Sequence, residues 1–313
     1  MTEEKSLFAR KPHYIVFAVL AMFAWGCAFP YVKMGMEEFG IGTNVDKMVF
    51  AGCRFFLAGL VCLLTSLVMG KSIRPPKGKT FAWMALYGLE NTTIHYAIFY
   101  IGLSNCQGSK ASMIDSLSTF FTILFAKIFF KEKFGLRRVL GCLLVLGGVV
   151  FINMGGNFDS QFRLEGDGLL IISALLGGLG GILARRLGQE MEVMVATGYG
   201  LALGGGLLGI LGLFMGGQMK ALTWRGVYLM TVLVAISVLG FLLYNKLLVY
   251  WPVGKVAVFN GLIPVFGTLM SCLTLGEQFY FRYVFVLVAI VLGIEIINVQ
   301  GGLQDGKRSQ SET

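Results

Sequence analysis

With 313 residues, 56% of them apolar and 14% charged, and a mean hydropathy of +0.75, the chain is far from the mix of a soluble domain. The formal charge of +9 does not indicate nucleic acid, because Lys and Arg gather between apolar runs, where they set membrane topology. Six scattered cysteines without a CxxC pair, and two histidines, His13 and His95, indicate neither a disulfide framework nor a zinc or His-based metal centre.

The chain opens with Lys5, Arg10 and Lys11 ahead of an apolar run, which superficially resembles a signal peptide. The run continues past Tyr31 without a small-residue cleavage site, so it reads as a retained first helix. Spanning a bilayer takes about 20 mainly apolar residues. That criterion predicts ten spans: 14–36, 47–69, 81–103, 109–130, 136–154, 166–187, 193–215, 224–247, 252–275 and 282–299. The fold class expected is therefore an all-α membrane protein with short connections and polar tails, 1–13 and 300–313. The basic loops, around Lys71–Lys79, Lys131–Arg138 and Arg185-Arg186, fall on the side of the N-terminus. Glu37, Glu38, Asp46, Asp159, Glu165 and Asp167 fall on the other. The positive-inside rule then puts both tails in the cytoplasm.

The segment Lys110–Asn153 recurs, without a gap, as Lys255–Asn298 at a constant offset of 145 residues. Leu117 pairs with Leu262, Phe121 with Phe266, Glu132 with Glu277, Arg137 with Arg282 and Gly148 with Gly293. The halves are 14–154 and 166–299, each with five spans. Five is odd, so the second half must enter the membrane upside down, giving two inverted repeats around a central cavity. The loop charges agree, since KEKFGLRR is strongly basic whereas its copy GEQFYFRY keeps only Arg282. Inverted repeats are typical of secondary transporters, which bind solute near the midplane between the halves.

Six pieces carry a family likeness: AWGCAF…K at Ala24–Lys33, CRFF at Cys53–Phe56, the run Tyr96–Ser112, and the FKEKFGLRR…GGVV run, then LLG…LARRL ending at Leu187 and NGLIPVF…LGE at Asn260–Glu277. Together, in order across both halves, they resemble the EamA-like family of the drug/metabolite transporter superfamily. The resemblance implies a ten-helix, two-repeat carrier whose cavity is lined by the first four helices of each half, with helices 5 and 10 peripheral. It implies export or exchange of small metabolites. One departure stands out: where the family usually carries Pro in the fourth span, this chain has Ser118-Thr119, and the offset pairs Thr119 with Pro264. Proline kinks a helix, so span 252–275 is expected to bend more than span 109–130.

An ionisable side chain at mid-bilayer costs roughly 2.5–3.5 kcal/mol on insertion scales, so each is a functional candidate. These are Arg54, Glu90, His95, Asp115, Lys127, Lys246, Lys255 and Glu295. Lys127, Lys246 and Lys255 lie near span ends and read as anchors that snorkel to the headgroups. By the helical rise, His95 and Asp115 lie about 12 Å and about 9 Å from the same membrane face on adjacent helices. They are expected to contact each other or one solute, or to relay a proton; His95 as a packing residue is the competing reading. Asp115 pairs with Asn260 across the repeat, and the two together could hold a zwitterionic or amide-bearing solute. Span 81–103 is polar nearly all round, with Asn91 and His95 on one face and Glu90, Thr93 and Tyr100 on the other. Glu90 reads as a proton or cation site, or as a neutral interhelical hydrogen-bonding group. Trp25, Phe29, Tyr199 and Tyr244 are candidate cavity walls, while Gly177, Gly178, Gly180 and Gly181 allow close helix packing.

The substrate-binding set is accordingly Trp25, Phe29, Asn91, His95, Asp115, Tyr199, Tyr244 and Asn260, with Glu90, His95 and Asp115 as coupling candidates. The function expected is an alternating-access secondary transporter of small metabolites, amino acids or drug-like solutes, working as an exporter or exchanger, with proton coupling one option. A non-translocating receptor and an intramembrane enzyme are the alternatives. No nucleotide loop supports ATP-driven pumping, and no catalytic group, metal or cofactor is expected. Expected partners are a small-molecule substrate and membrane lipid, no nucleic acid, and either no second copy or one in a homodimer. The expected location is a bacterial plasma membrane.

Overall fold

The computed structural model describes residues 10–105, 117–131, 162–220 and 223–276, together with positions 8, 111, 114, 115, 140, 143, 144, 147, 284, 288 and 292. Every regular element among them is helical, and no strand occurs. The helices are α1 (Lys11–Glu38), α2 (Asn44–Val68), α3 (Gly78–Tyr87), α4 (His95–Ser104), α5 (Leu117–Phe130), α6 (Leu169–Glu190), α7 (Val193–Phe214), α8 (Trp224–Tyr250), α9 (Val253–Ala257) and α10 (Leu262–Leu275). A π-helical stretch, Gly88–Ile94, joins α3 to α4 without a break, and a second, Leu164–Gly168, leads into α6. A 3₁₀ turn, Val258–Gly261, joins α9 to α10. Six helical runs among the described residues are long and apolar enough to cross a membrane: Pro12–Glu38, Asn44–Val68, Leu164–Glu190, Val193–Phe214, Trp224–Tyr250 and Val253–Leu275. They match the spans read from hydropathy to within a few residues. Of the expected spans 136–154 and 282–299 only positions 140, 143, 144, 147, 284, 288 and 292 are described, and Glu132, Glu277 and Glu295 lie outside the described residues.

The helices end where the sequence supplies caps. Thr43 and Asp46 form a capping box at the start of α2: Asp46 N donates to Thr43 Oγ1 (3.1 Å) and Thr43 N donates to Asp46 Oδ2 (2.8 Å). The other oxygen of Asp46 accepts from Gln218 N (2.8 Å), which ties the α1–α2 turn to the α7–α8 loop. At the opposite end, Glu192 caps α7 through Val195 N and pairs with Lys71 at 2.7 Å. Between the caps, large apolar side chains such as Leu64, Ile128, Leu213, Phe214 and Leu273 stand exposed, as lipid-facing positions require.

Neighbouring helices approach through glycine seams. A Cβ at Gly52 of α2 would overlap the backbone of Gly209 in α7, and one at Gly59 would overlap Ala202, so these two helices meet backbone to backbone. The same contacts give the directions. The end holding the start of α1 is called proximal here and the other distal. Val49 meets Gly212 while Gly59 meets Ala202, so α2 and α7 are antiparallel. Trp83 meets Arg186 while Gly102 meets Leu170, so α3–α4 and α6 are antiparallel too. Trp25 meets Gly240 and Phe39 meets Gly226, which sets α8 against α1. Tyr14 meets Phe259 and Gly26 meets Gly267, so α9–α10 runs parallel to α1. Ser118 meets Gly177 and Phe130 meets Arg185, which makes α5 parallel to α6.

One turn upstream of Pro264 the helix departs from α geometry. A helical proline removes an N–H and crowds the carbonyl four residues back, here that of Asn260. The span from Val253 to Leu275 breaks into a 3₁₀ turn around that residue. A second proline, Pro30 inside α1, acts in the same way on the carbonyl of Gly26, the point at which α10 packs against α1 at Gly267.

Candidate functional site

Between the two sets of helices lies a cavity of about 130 Å³, lined from α1, α2, the α3–α4 run, residues 115–118, α6, α8 and the α9–α10 span. That volume holds several waters or part of a small solute, since one water needs roughly 10–15 Å³ on this measure. Aromatic rings form much of the wall. Trp25 lies 4.9 Å from Tyr244 and 5.4 Å from Phe241, and Phe29 lies 6.3 Å from Phe99. Tyr96 and His95 stack at 4.7 Å. Trp25 is pressed so closely against Gly240 that a side chain there would overlap the indole.

The polar groups come from the two distorted helices. The π-helical stretch turns Asn91 toward the cavity and His95 follows from the start of α4. Asn91 Oδ1 lies directly over Gly180 of α6, where any Cβ would overlap it, while its Nδ2 has no partner. The carbonyl of Asn91 lies beside the His95 ring, whose Cε1 faces Gly177. Asn260 sits in the 3₁₀ turn made by Pro264; its Nδ2 reaches Tyr244 Oη at 3.4 Å and its Oδ1 has no partner. Buried polar atoms without partners are uncommon and costly; Trp25 Nε1 and His95 Nδ1 are unpartnered as well as the two amide atoms, so the cavity suits a polar guest or water.

Of the residues singled out from the sequence, Trp25, Phe29, Asn91, His95, Asp115, Tyr244 and Asn260 all line this one cavity. Asp115 and its repeat partner Asn260 thus face the same space. His95 and Asp115 share it without a direct hydrogen bond among the described residues. Tyr199 lies apart from it. Its hydroxyl donates to the carbonyl of Ile73 at 2.6 Å, because α7 starts at the proximal end and residue 199 is only two turns in. Glu90 also lies off the cavity wall, buried on the far side of the π-helical stretch with neither carboxylate oxygen partnered. Of the four glycines expected to allow close approach, Gly178 does so against Phe121 and Thr122 and Gly180 against Asn91, whereas a Cβ at Gly177 or Gly181 would meet its neighbours at ordinary contact distance.

Sequence reasoning named Arg54 as an intramembrane charge but gave it no role. It lines the cavity, 4% exposed, with Nε donating to Ser237 Oγ at 2.9 Å and Nη1 to Tyr100 Oη at 3.3 Å. Tyr96 and Asn245 were missed. Asn245 donates to Tyr87 Oη and to Thr197 Oγ1, both at 3.0 Å, which links the cavity wall to a buried polar cluster between α3, α7 and α8. The only signal in the sequence was an amide near the proximal end of an apolar span.

The cavity is closed proximally. Tyr14 Oη donates to the carbonyl of Lys255 (2.8 Å), and its ring stacks on Trp251 (4.4 Å) and meets Phe259 edge-on (5.4 Å). Lys255 is itself buried, with Nζ 5.8 Å from the Trp251 ring. This corrects the snorkelling expected of it: the side chain is folded into the seal because α9 begins beneath α1. Lys246 is likewise held over Phe8 at 5.1 Å. Distally, a vestibule of about 670 Å³ carries Lys33, Glu37, Lys47, Ser104 and Asn105, and shares Leu103 with the central cavity.

Apolar helices packed through glycine seams around a partly polar cavity that is sealed at its proximal end define an α-helical integral membrane protein. The model of the EamA-like transporter family matches residues 13–154 and again 164–299. The chain is 24% identical over 283 residues to the uncharacterized transporter YvbV of Bacillus subtilis, covering 90% of each. It is 26% identical over 263 residues to an uncharacterized transporter of Haemophilus influenzae, covering 82% of each. A probable terminal-alkyne amino-acid exporter of Streptantibioticus cattleyicolor is 20% identical over 139 residues, which is 44% of either chain. A solved crystal structure superposes with a TM-score of 0.73 at 17% identity, covering 90% of this chain and 96% of that one, a likeness of fold. The chain belongs to the EamA-like transporter family, within the drug/metabolite transporter superfamily, and is a transporter.

Proposed function

We propose that the chain is a secondary transporter that exports or exchanges small amphiphilic metabolites, amino acids among them, by alternating access. The observation that carries this reading is the proximally sealed cavity walled by aromatic rings, which Asp115 and Asn260, paired by the 145-residue offset, both line. In this reading Trp25, Phe29, Asn91, His95, Asp115, Tyr244 and Asn260 bind the solute. Tyr199, its hydroxyl already engaged, is left out.

The two halves act as inverted five-helix repeats within a ten-helix chain. Helix directions favour this: α1, α2, α3–α4 and α5 run distally, proximally, distally, proximally, while α6, α7, α8 and α9–α10 run in the opposite sense. The proximal end is cytoplasmic, in keeping with Lys71, Arg74, Lys77, Lys79, Arg185 and Arg186 there. With the seal at Tyr14 closed, the described state faces the distal side, and rocking of the halves would open the proximal path. The amino-acid exporter among the relatives supports the solute class.

Glu90, His95 and Asp115 are the candidates for coupling to protons. Purified protein in liposomes preloaded with labelled amino acids tests the proposal. Saturable efflux that an imposed pH gradient accelerates is the expected result. Solute that binds without crossing would make the protein a receptor instead.

A further inference from the structure

We propose that Arg54 is the residue that sets the cavity's specificity, by taking a carboxylate group of the solute. The inference rests on the reading of the cavity as a solute site. A guanidinium stays charged at any working pH, and five N–H donors leave it. Its fixed partners, Ser237 Oγ and Tyr100 Oη, are neutral and engage Nε and Nη1. No ion pair to Arg54 occurs among the described residues. Phe55 covers it at 4.9 Å, and the residue lines the cavity with donors to spare beyond these two bonds.

A buried cation left with neutral partners is costly in a membrane unless an anion joins it. Asp115 lines the same cavity, yet makes no ion pair with Arg54 among the described residues. The cavity therefore fits a guest whose own anion completes the pairing at Arg54. A single planar fork suits a carboxylate, which it can meet through two parallel bonds. The apolar rings around it suit a hydrocarbon or aromatic body. Ser237 and Tyr100 are positioning residues, holding the fork toward the cavity.

Equilibrium binding to the full-length protein in nanodiscs tests this without requiring translocation. The probes are 3-phenylpropionate, its amide, phenylalanine and phenethylamine. The two carboxylates are expected to bind about 10- to 150-fold more tightly than the amide and the amine. In Arg54→Gln that ratio should collapse to near one, and Arg54→Lys should keep part of it, because charge survives but the fork does not. If Arg54→Gln fails to fold, Ser237→Ala is read instead, with the ratio expected to fall at least threefold. A ratio unchanged in a folded variant, or a wild type that favours the amine or amide or binds none of the four, overturns the proposal. Binding that follows this pattern without efflux from liposomes would sink the transport reading and leave Arg54 in its role.

Discussion

Gly180 offers the sharpest test of the cavity. A Cβ placed there would overlap Asn91 Oδ1, and would lie 2.9 Å from Asn91 Cγ and 3.3 Å from its Cβ, so in Gly180→Ala the amide must move. It cannot retreat into α6, so it swings into a cavity of about 130 Å³ that it already borders. Overpacking of this kind typically costs about 1–3 kcal/mol. Because the displaced amide and the solute now compete for one space, that cost falls on binding, which corresponds to an affinity weakened by about 5- to 150-fold. Gly181→Ala is the control. It also lines the cavity, but its added Cβ would meet Leu248 and Thr122 at 3.7 Å, ordinary contact, and affinity should stay within about twofold. The assay is concentration-dependent efflux from liposomes alongside direct binding. If Gly180→Ala transports with an unchanged KM while folded and reconstituted normally, Asn91 does not border the solute and the cavity is misassigned.

Three further outcomes follow from the same geometry. Tyr14→Ala removes the ring that closes the proximal path, a truncation worth about 3–5 kcal/mol in a packed core. In a background without native cysteines, Cys introduced at Asn260 should then become reactive from the proximal side, whereas Tyr14→Phe, which keeps the ring, should leave it protected. Glu90→Gln should abolish the response to an imposed pH gradient while leaving counterflow exchange intact, because it removes a proton site off the cavity wall; a full pH response in the variant would relieve Glu90 of that role. Asp115→Asn should weaken binding of a cationic or zwitterionic solute by about tenfold or more, the loss of one charge-assisted bond, and equal affinity for phenylalanine in both proteins would count against it.

Much of the architecture was written in the sequence, and for a plain reason. In a bilayer each backbone polar group must be satisfied within its own helix, so hydropathy alone marks the spans. That is why α1, α2, α6, α7 and α8 begin and end within a few residues of the apolar runs. Asp115 and Asn260, which the 145-residue offset pairs, both line the one cavity. What hydropathy cannot encode is the direction in which a side chain points relative to helices far away in the chain. Asn91 and His95 reach the cavity while Glu90, next to Asn91 in the chain, does not; helical spacing already separates the two faces, but only the packing of the neighbouring helices decides which of them meets the cavity. Tyr199 and Tyr244 are alike in sequence, yet one bonds a loop carbonyl at the proximal end and the other lines the cavity, because α7 and α8 present them at different depths. Lys255 looked like an anchor at a span end until α9 was seen to start beneath α1, which buries it. Arg54 was legible as a charge in the membrane; only the packing of α2 against α4 and α8 gave it Tyr100 and Ser237 as partners at the cavity wall. The sequence determined which residues lie in the membrane, and tertiary contacts between helices decided which of them share one small space.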